Sequence, residues 1–273
     1  MTTLRCGRHV LDLATPRVMG IVNVTADSFS GDGRLDAAAA IEQGRRMTAD
    51  GAAIIDVGGE STRPGATPID VATELARVLP VIEALAGDGT IVSVDTMKPE
   101  VMRAAIAAGA SMLNDVTALR APGALEAAAA SDAAVCLMHM QGEPQTMQAA
   151  PHYDDVVHEV RDFLAARAAA CRDAGIGADR LVIDPGFGFG KTLEHNLRLL
   201  HDLAALAALG YPVLAGVSRK SMLGAITGRA AGERAAASVA AALCAVARGA
   251  SIVRVHDVRD TVDALAVWTA VGR

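Results

Sequence analysis

Eight short apolar runs, each followed by turn residues, constrain the fold of this chain more than any other feature. They are Val18–Val24, Ala53–Val57, Ile91–Asp95, Ser111–Asp115, Ala134–Met138, Arg180–Pro185, Pro212–Ser218 and Ser251–His256. Each is too short for a helix and apolar at nearly every position, which suits strands covered on both faces. Between them the spacing predicts helices over Leu35–Asp50, Thr73–Ala86, Pro99–Ala108, Asp154–Ala174, Thr192–Leu209 and Glu233–Arg248. Pro99 suits a first helical turn, where its missing N–H costs nothing.

Strand–helix alternation implies a parallel sheet. Eight such units in roughly 250 residues imply a closed (β/α)8 barrel, an α/β fold with its active site at the C-terminal ends of the strands. An open doubly wound sheet is the alternative, but no G-x-G-x-x-G follows the first run. The 273 residues read as a single domain, 1–273, with no linker or repeat. Thr3–Leu13 is expected to form a short hairpin capping the bottom of the barrel.

Composition excludes some functions. A net charge of −6 argues against nucleic-acid and membrane-surface binding. No apolar stretch reaches the ~18 residues of a membrane span, and no secretory signal is visible. Cys6, Cys136, Cys171 and Cys244 form no C-x-x-C pair, so reduced thiols in a cytoplasmic protein are expected.

In such a barrel the residue that follows each strand carries the chemistry. Asn23, Arg63, Asp95, Asn114, Asp184, Lys220, Arg254 and His256 would then share one mouth. Asp95, Asn114 and Asp184 suit a flat heterocycle rich in N–H donors, because carboxylates and amides accept from such edges. Arg63, Lys220, Arg254 and His256 suit a phosphate or diphosphate. Alone, Asp95 reads equally well as a helix N-cap, Asp184 as a turn residue and His139 as a locally bonded side chain. His152, His158, His195 and His201 are expected to be solvated. No His/Cys cluster signals a transition metal. A magnesium ion shared with diphosphate oxygens needs only one protein oxygen, and Asn23 is the candidate.

The stretch DPGFGFGKT (Asp184–Thr192) resembles a phosphate loop but fails its spacing. The motif G-x-x-x-x-G-K-[ST] requires glycine where Pro185 stands. Lys191 is left between a ligand contact and a place at the start of the next helix.

Several stretches together resemble the dihydropteroate synthase family. They are Met19–Ser30 (MGIVNVTADSFS), Asp56–Ala66 (DVGGESTRPGA), Ser93–Val101 (SVDTMKPEV), Gly109–Val116 (GASMLNDV), Leu137–Gln148 (LMHMQGEPQTMQ), DPGFGFGKT, Gly216–Gly224 (GVSRKSMLG) and Val253–Val258 (VRVHDV). The resemblance implies a (β/α)8 homodimer joining 6-hydroxymethyl-7,8-dihydropterin diphosphate to 4-aminobenzoate. It places the pterin on Asp95, Asn114, Asp184 and Lys220. It places the diphosphate on Asn23, Thr62, Arg63, Arg254 and His256, with Mg2+ at Asn23. It places 4-aminobenzoate against Phe29, Thr62, Pro64, Phe189, Lys220 and Ser221, and catalysis on Asp95, Asp184, Lys220 and Arg254. Asp95 and Asp184 would stabilise a pterin cation formed as diphosphate leaves. The first loop departs from the family pattern, with Ala26 for the usual proline and a shifted Gly31-Asp32-Gly33. That leaves a silent pterin binder as one competing reading, and a pterin-binding methyltransferase module as another. The intact STRPG and SRKS stretches argue against the second.

Overall fold

The computed structural model describes residues 2–24, 33–62 and 65–272. A two-stranded antiparallel hairpin, β1 (Thr3–Cys6) and β2 (His9–Asp12), comes first. Eight parallel strands then close into a barrel in chain order. They are β3 (Arg17–Asn23), β4 (Ile54–Gly58), β5 (Val92–Asp95), β6 (Met112–Asp115), β7 (Ala134–Met138), β8 (Leu181–Asp184), β9 (Val213–Ala215) and β10 (Ala250–Val255), with β10 pairing β3. Every predicted run holds a strand, and the expected barrel forms.

The helices are α1 (Gly33–Ala49), α2 (Val71–Gly87), α3 (Pro99–Ala107), α4 (Ala124–Ala129), α5 (Val156–Asp173), α6 (Leu193–His201), α7 (Ala204–Ala207), α8 (Ser221–Thr227), α9 (Ala235–Val246) and α10 (Val258–Val271). The expected helix over Thr192–Leu209 is broken in two. Asp202 leaves helical geometry there, with its carboxylate engaged by Arg198 and His201. Helix α10 lies beyond the segments that periodicity singled out.

Side-chain alternation explains why the strands read as nearly all apolar. One face of each strand packs under the helices, where Val22, Val57, Val94, Leu113 and Ile183 are buried. The other face fills the barrel interior with Met19, Ile54, Met112, Ala134, Cys136, Val182, Leu214 and Ile252. Leu4, Cys6, Leu11 and Leu13 of the hairpin segment pack onto these same residues, so the hairpin plugs the lower end as expected. Two residues further along the inward face come polar groups: Asp56 above Ile54, Asn114 above Met112, Asp184 above Val182 and Arg254 above Ile252. The alternation that builds the core therefore also delivers the site.

Candidate active site

Arg254 and Asp56 form the centre of the mouth. Arg254 Nε donates to Asp56 Oδ2 at 2.6 Å, and Arg254 Nη2 donates to Asp95 Oδ2 at 2.8 Å. Asn114 Nδ2 donates to the same Asp56 oxygen at 3.0 Å. Burial opposes the charge on Arg254, but Asp56 and Asp95 outweigh it and hold the guanidinium above its ordinary range. Burial pushes Asp95 up to about 7, against the pull of Arg254. Asp95 does not cap the next helix, since Lys98 holds the N-cap position of α3.

Asp184 ends β8, across the barrel mouth from Asp56 on β4. Its Oδ1 accepts from Gly186 N at 2.7 Å, so it is a turn residue as well as a mouth residue. Burial raises its pKa, and Lys220 and the Gly186 bond oppose the rise. A side chain at Gly216 would touch Asp184 Oδ2 at 3.9 Å, Arg254 Cβ at 4.0 Å and Lys220 Nζ at 4.0 Å. A side chain at Gly58 would likewise meet Asp95 and Asn23. These two glycines keep open the space onto which the polar groups converge.

Lys220 is aimed by its neighbour. Arg219 has a left-handed φ of 58°, uncommon for a side chain of its size. Its guanidinium is paired with Asp257, its N–H donates to Ser238 Oγ at 2.9 Å, and its carbonyl accepts from Arg234 Nη1 at 3.0 Å. The strain is thus held from three sides, and the chain turns so that Lys220 precedes Ser221 at the start of α8. Lys220 Nζ donates to the Phe187 carbonyl and sits 4.6 Å from the Phe189 ring centroid. Burial lowers its pKa to about 8, opposed by Asp184.

Phe189 packs with Val116, Met138, Met140, Met147 and Met97 into an apolar wall beside these charges. His256 Nδ1 lies 3.0 Å from Ser218 Oγ, and its backbone N–H donates to the same oxygen at 3.2 Å. Asn23 and Thr62 are half-buried at the ends of β3 and of the turn after β4. Arg63, Pro64 and Phe29 lie outside the described residues. Arg254, grouped above with the cations for an anion, has its guanidinium between two carboxylates.

Sequence reasoning passed over two features and left a third, Lys191, open. Asp56 is fully buried and joins Arg254 to Asn114. A polar residue inside an apolar run, in phase with the inward positions, was the available signal. Lys98 links Glu60, in the turn after β4, to the buried Glu74 of α2. Lys191 is buried and bonds His139 and Phe189, so it neither caps α6 nor meets solvent. His139 packs edge-on against Phe163, and its ring bonds Lys191 of the loop after β8. His152, His158 and His201 are exposed, while half-buried His195 closes a capping box with Thr192.

The model of the family described as "Pterin binding enzyme" matches residues 19–256. A dihydropteroate synthase of Neisseria meningitidis serogroup C is 51% identical over 274 residues, covering 98% of this chain and 97% of the relative. The solved dihydropteroate synthase of Xanthomonas albilineans with 4-aminobenzoic acid is 56% identical with a TM-score of 0.94, covering 99% of this chain and 98% of its own. That of Burkholderia cenocepacia, complexed with 7,8-dihydropteroate, is 53% identical with a TM-score of 0.91, covering 99% and 96%. The chain therefore belongs to the pterin binding enzyme family and, within it, to the dihydropteroate synthases.

Proposed function

We infer that the chain condenses 6-hydroxymethyl-7,8-dihydropterin diphosphate with 4-aminobenzoate, giving 7,8-dihydropteroate and diphosphate. The observation that carries this is the convergence of Asp95, Asn114, Asp184 and Lys220 around Arg254 at one barrel mouth. Asp95, Asn114 and Asp184 would accept from the N–H edge of the pterin, and Lys220 would donate to it. The bond from the pterin methylene to the diphosphate oxygen breaks, and the electron pair leaves with the oxygen. Asp95 and Asp184 then face the cation that develops on the ring. The amine lone pair of 4-aminobenzoate forms the new C–N bond, and its proton passes to solvent or product diphosphate.

Asn23, Thr62, Arg63, Arg254 and His256 would hold the diphosphate. Phe29, Thr62, Pro64, Phe189, Lys220 and Ser221 would hold 4-aminobenzoate. Among the described residues no group of three or more His, Cys, Asp or Glu could hold a metal ion. A single amide oxygen at Asn23 fits Mg2+ that takes its other ligands from water and diphosphate. When bound, the ion would neutralise the leaving group.

A homodimer and a cytoplasmic location are part of the same reading. Exposed Leu193 and Leu197 on α6 and Ile226 on α8 support a surface for a second copy. All four cysteines are free, which supports a reducing compartment. Light scattering after gel filtration tests the dimer. Purified protein incubated with the pterin diphosphate, 4-aminobenzoate and Mg2+ tests the reaction. Release of dihydropteroate and diphosphate is expected, and pterin binding without turnover would point to a silent binder.

A further inference from the structure

Five successive carbonyls of the segment 187–191 each accept from a different side chain. Phe187 O takes Lys220 Nζ, Gly188 O takes Gln148 Nε2, and Phe189 O takes Lys191 Nζ at 3.0 Å. Gly190 O takes the Tyr153 hydroxyl at 2.8 Å, and Lys191 O takes Asn196 Nδ2 at 3.4 Å. Four of these donors come from outside the segment. The fifth, Lys191, folds back onto it.

Lys191 is 3% exposed, and among the described residues it makes no ion pair. Besides Phe189 O, its ammonium reaches His139 Nδ1 at 3.0 Å and His139 O at 3.3 Å. Burial holds its pKa down to about 7, with Lys220 acting the same way. Burial, then the charge of Lys191, holds His139 down to about 3, so the imidazole is neutral, and facing an ammonium that can only donate, its Nδ1 takes the acceptor role. The imidazole is itself wedged edge-on against Phe163, with centroids 4.9 Å apart. Helix α6 has no need of Lys191, because Thr192 caps it by accepting from His195 N at 3.2 Å. What Lys191 does is tie the loop after β7 to the carbonyl of Phe189.

We propose that Lys191, held by His139, is a positioning residue that sets the Phe189 ring against Lys220 for the incoming arylamine. The proposal rests on the synthase reading, in which Phe189 and Lys220 line the 4-aminobenzoate site. Neither Lys191 nor His139 touches substrate. Their effect passes through one peptide carbonyl to the apolar wall of Phe189, Met138, Met140 and Met147.

The experiment compares wild type with Lys191→Met, His139→Leu and His139→Gln, each as the full chain. Lys191→Met and His139→Leu are expected to raise KM for 4-aminobenzoate about tenfold, as a misplacement of ~1 Å can do. KM for the pterin diphosphate and kcat should stay within about twofold. His139→Gln, which restores an acceptor, should recover most of the loss. Equal behaviour of the leucine and glutamine variants, or a uniform fall in kcat with both KM values raised, overturns the proposal. A crystal structure of Lys191→Met provides a readout independent of turnover, and if that variant does not fold, His139→Leu takes its place. The Phe189 ring should lie displaced from its 4.6 Å distance to Lys220 Nζ, and an unmoved ring refutes the clamp. Inactive wild type would instead refute the synthase reading and leave the crystallographic result to judge the clamp.

Discussion

A single oxygen, Asp56 Oδ2, receives Arg254 Nε at 2.6 Å while also accepting from Asn114, so one buried carboxylate aligns both sides of the mouth. Replacing Asp56 with Ala leaves Arg254 to Asp95 alone and removes the partner of Asn114. Losing one partner of a buried pair typically costs about 3 kcal/mol or more. Asp56→Ala is therefore expected to lower the denaturant midpoint clearly and to cut kcat/KM at least ~100-fold, as misplacement of reacting groups does. Asp56→Asn should keep more of the fold than of the activity. Urea titration and diphosphate release check both.

The titrations of Asp95 and Lys220 bracket a working range. Asp95 is raised to about 7, and Lys220 is lowered to about 8. The proposed reading needs anionic Asp95 and cationic Lys220 at the pterin, and on it kcat/KM should rise through about 7 and fall above about 8. Asp95→Asn should remove the acid limb from whatever activity remains.

The same shift has a consequence for stability. Asp95 has a higher pKa folded than unfolded, so the folded state binds more protons between the two values. Its contribution is full below the unfolded pKa and is lost as pH rises through about 7. Chemical denaturation should thus find Asp95→Asn gaining on wild type from pH 5 to pH 8. A gain in the opposite direction would contradict burial as the cause of the raised Asp95 pKa.

Gly190 and Gly210 make a paired test. Both have positive φ, 62° and 83°. A Cβ at Gly190 would lie 2.6 Å from the Gln141 carbonyl, whereas a Cβ at Gly210 meets nothing within 4 Å. Gly210→Ala should cost only the backbone strain, about 1 kcal/mol. Gly190→Ala should cost well beyond that and lower activity, because the loops after β7 and β8 must part. Melting curves of the two variants separate strain from collision.

Lys98 is the sole cation bonded to Glu60 and Glu74 among the described residues. Lys98→Met would leave two nearly buried carboxylates without their partner, a loss of about 3–5 kcal/mol. The deficit should be partly repaired by Glu74→Gln, which removes one of the two orphaned carboxylates. A deficit that Glu74→Gln leaves unchanged would mean that packing, not charge, is what Lys98 supplies.

Much of this was legible in the chain. Strand ends follow from where apolar runs stop, so Asp95, Asn114, Asp184 and Arg254 were found by position alone. Asp56 escaped because it sits inside its run, where only the phase of alternation separates a core residue from a site residue. Lys191 escaped because burial of a lysine depends on acceptors from another loop, and sequence spacing carries no information on which loops touch. The break at Asp202 was hidden by continuing leucine periodicity on both sides. The glycines of DPGFGFGKT signalled close approach, and the neighbouring loop is what they approach. At Gly186 a side chain would collide with the His139 carbonyl.

The hairpin under the barrel carries a last implication. With Leu4, Cys6, Leu11 and Leu13 stoppering one end, the interior is a cul-de-sac. Both substrates must come in by the same door, and the joined product must back out through it. Asp95 and Asp184 stand at the ends of β5 and β8, and Phe189 lies in the loop beyond β8. If the pterin takes the two carboxylates and the arylamine the ring, as proposed, order of arrival becomes a matter of queueing: the deep guest comes first, or the shallow one bars the way.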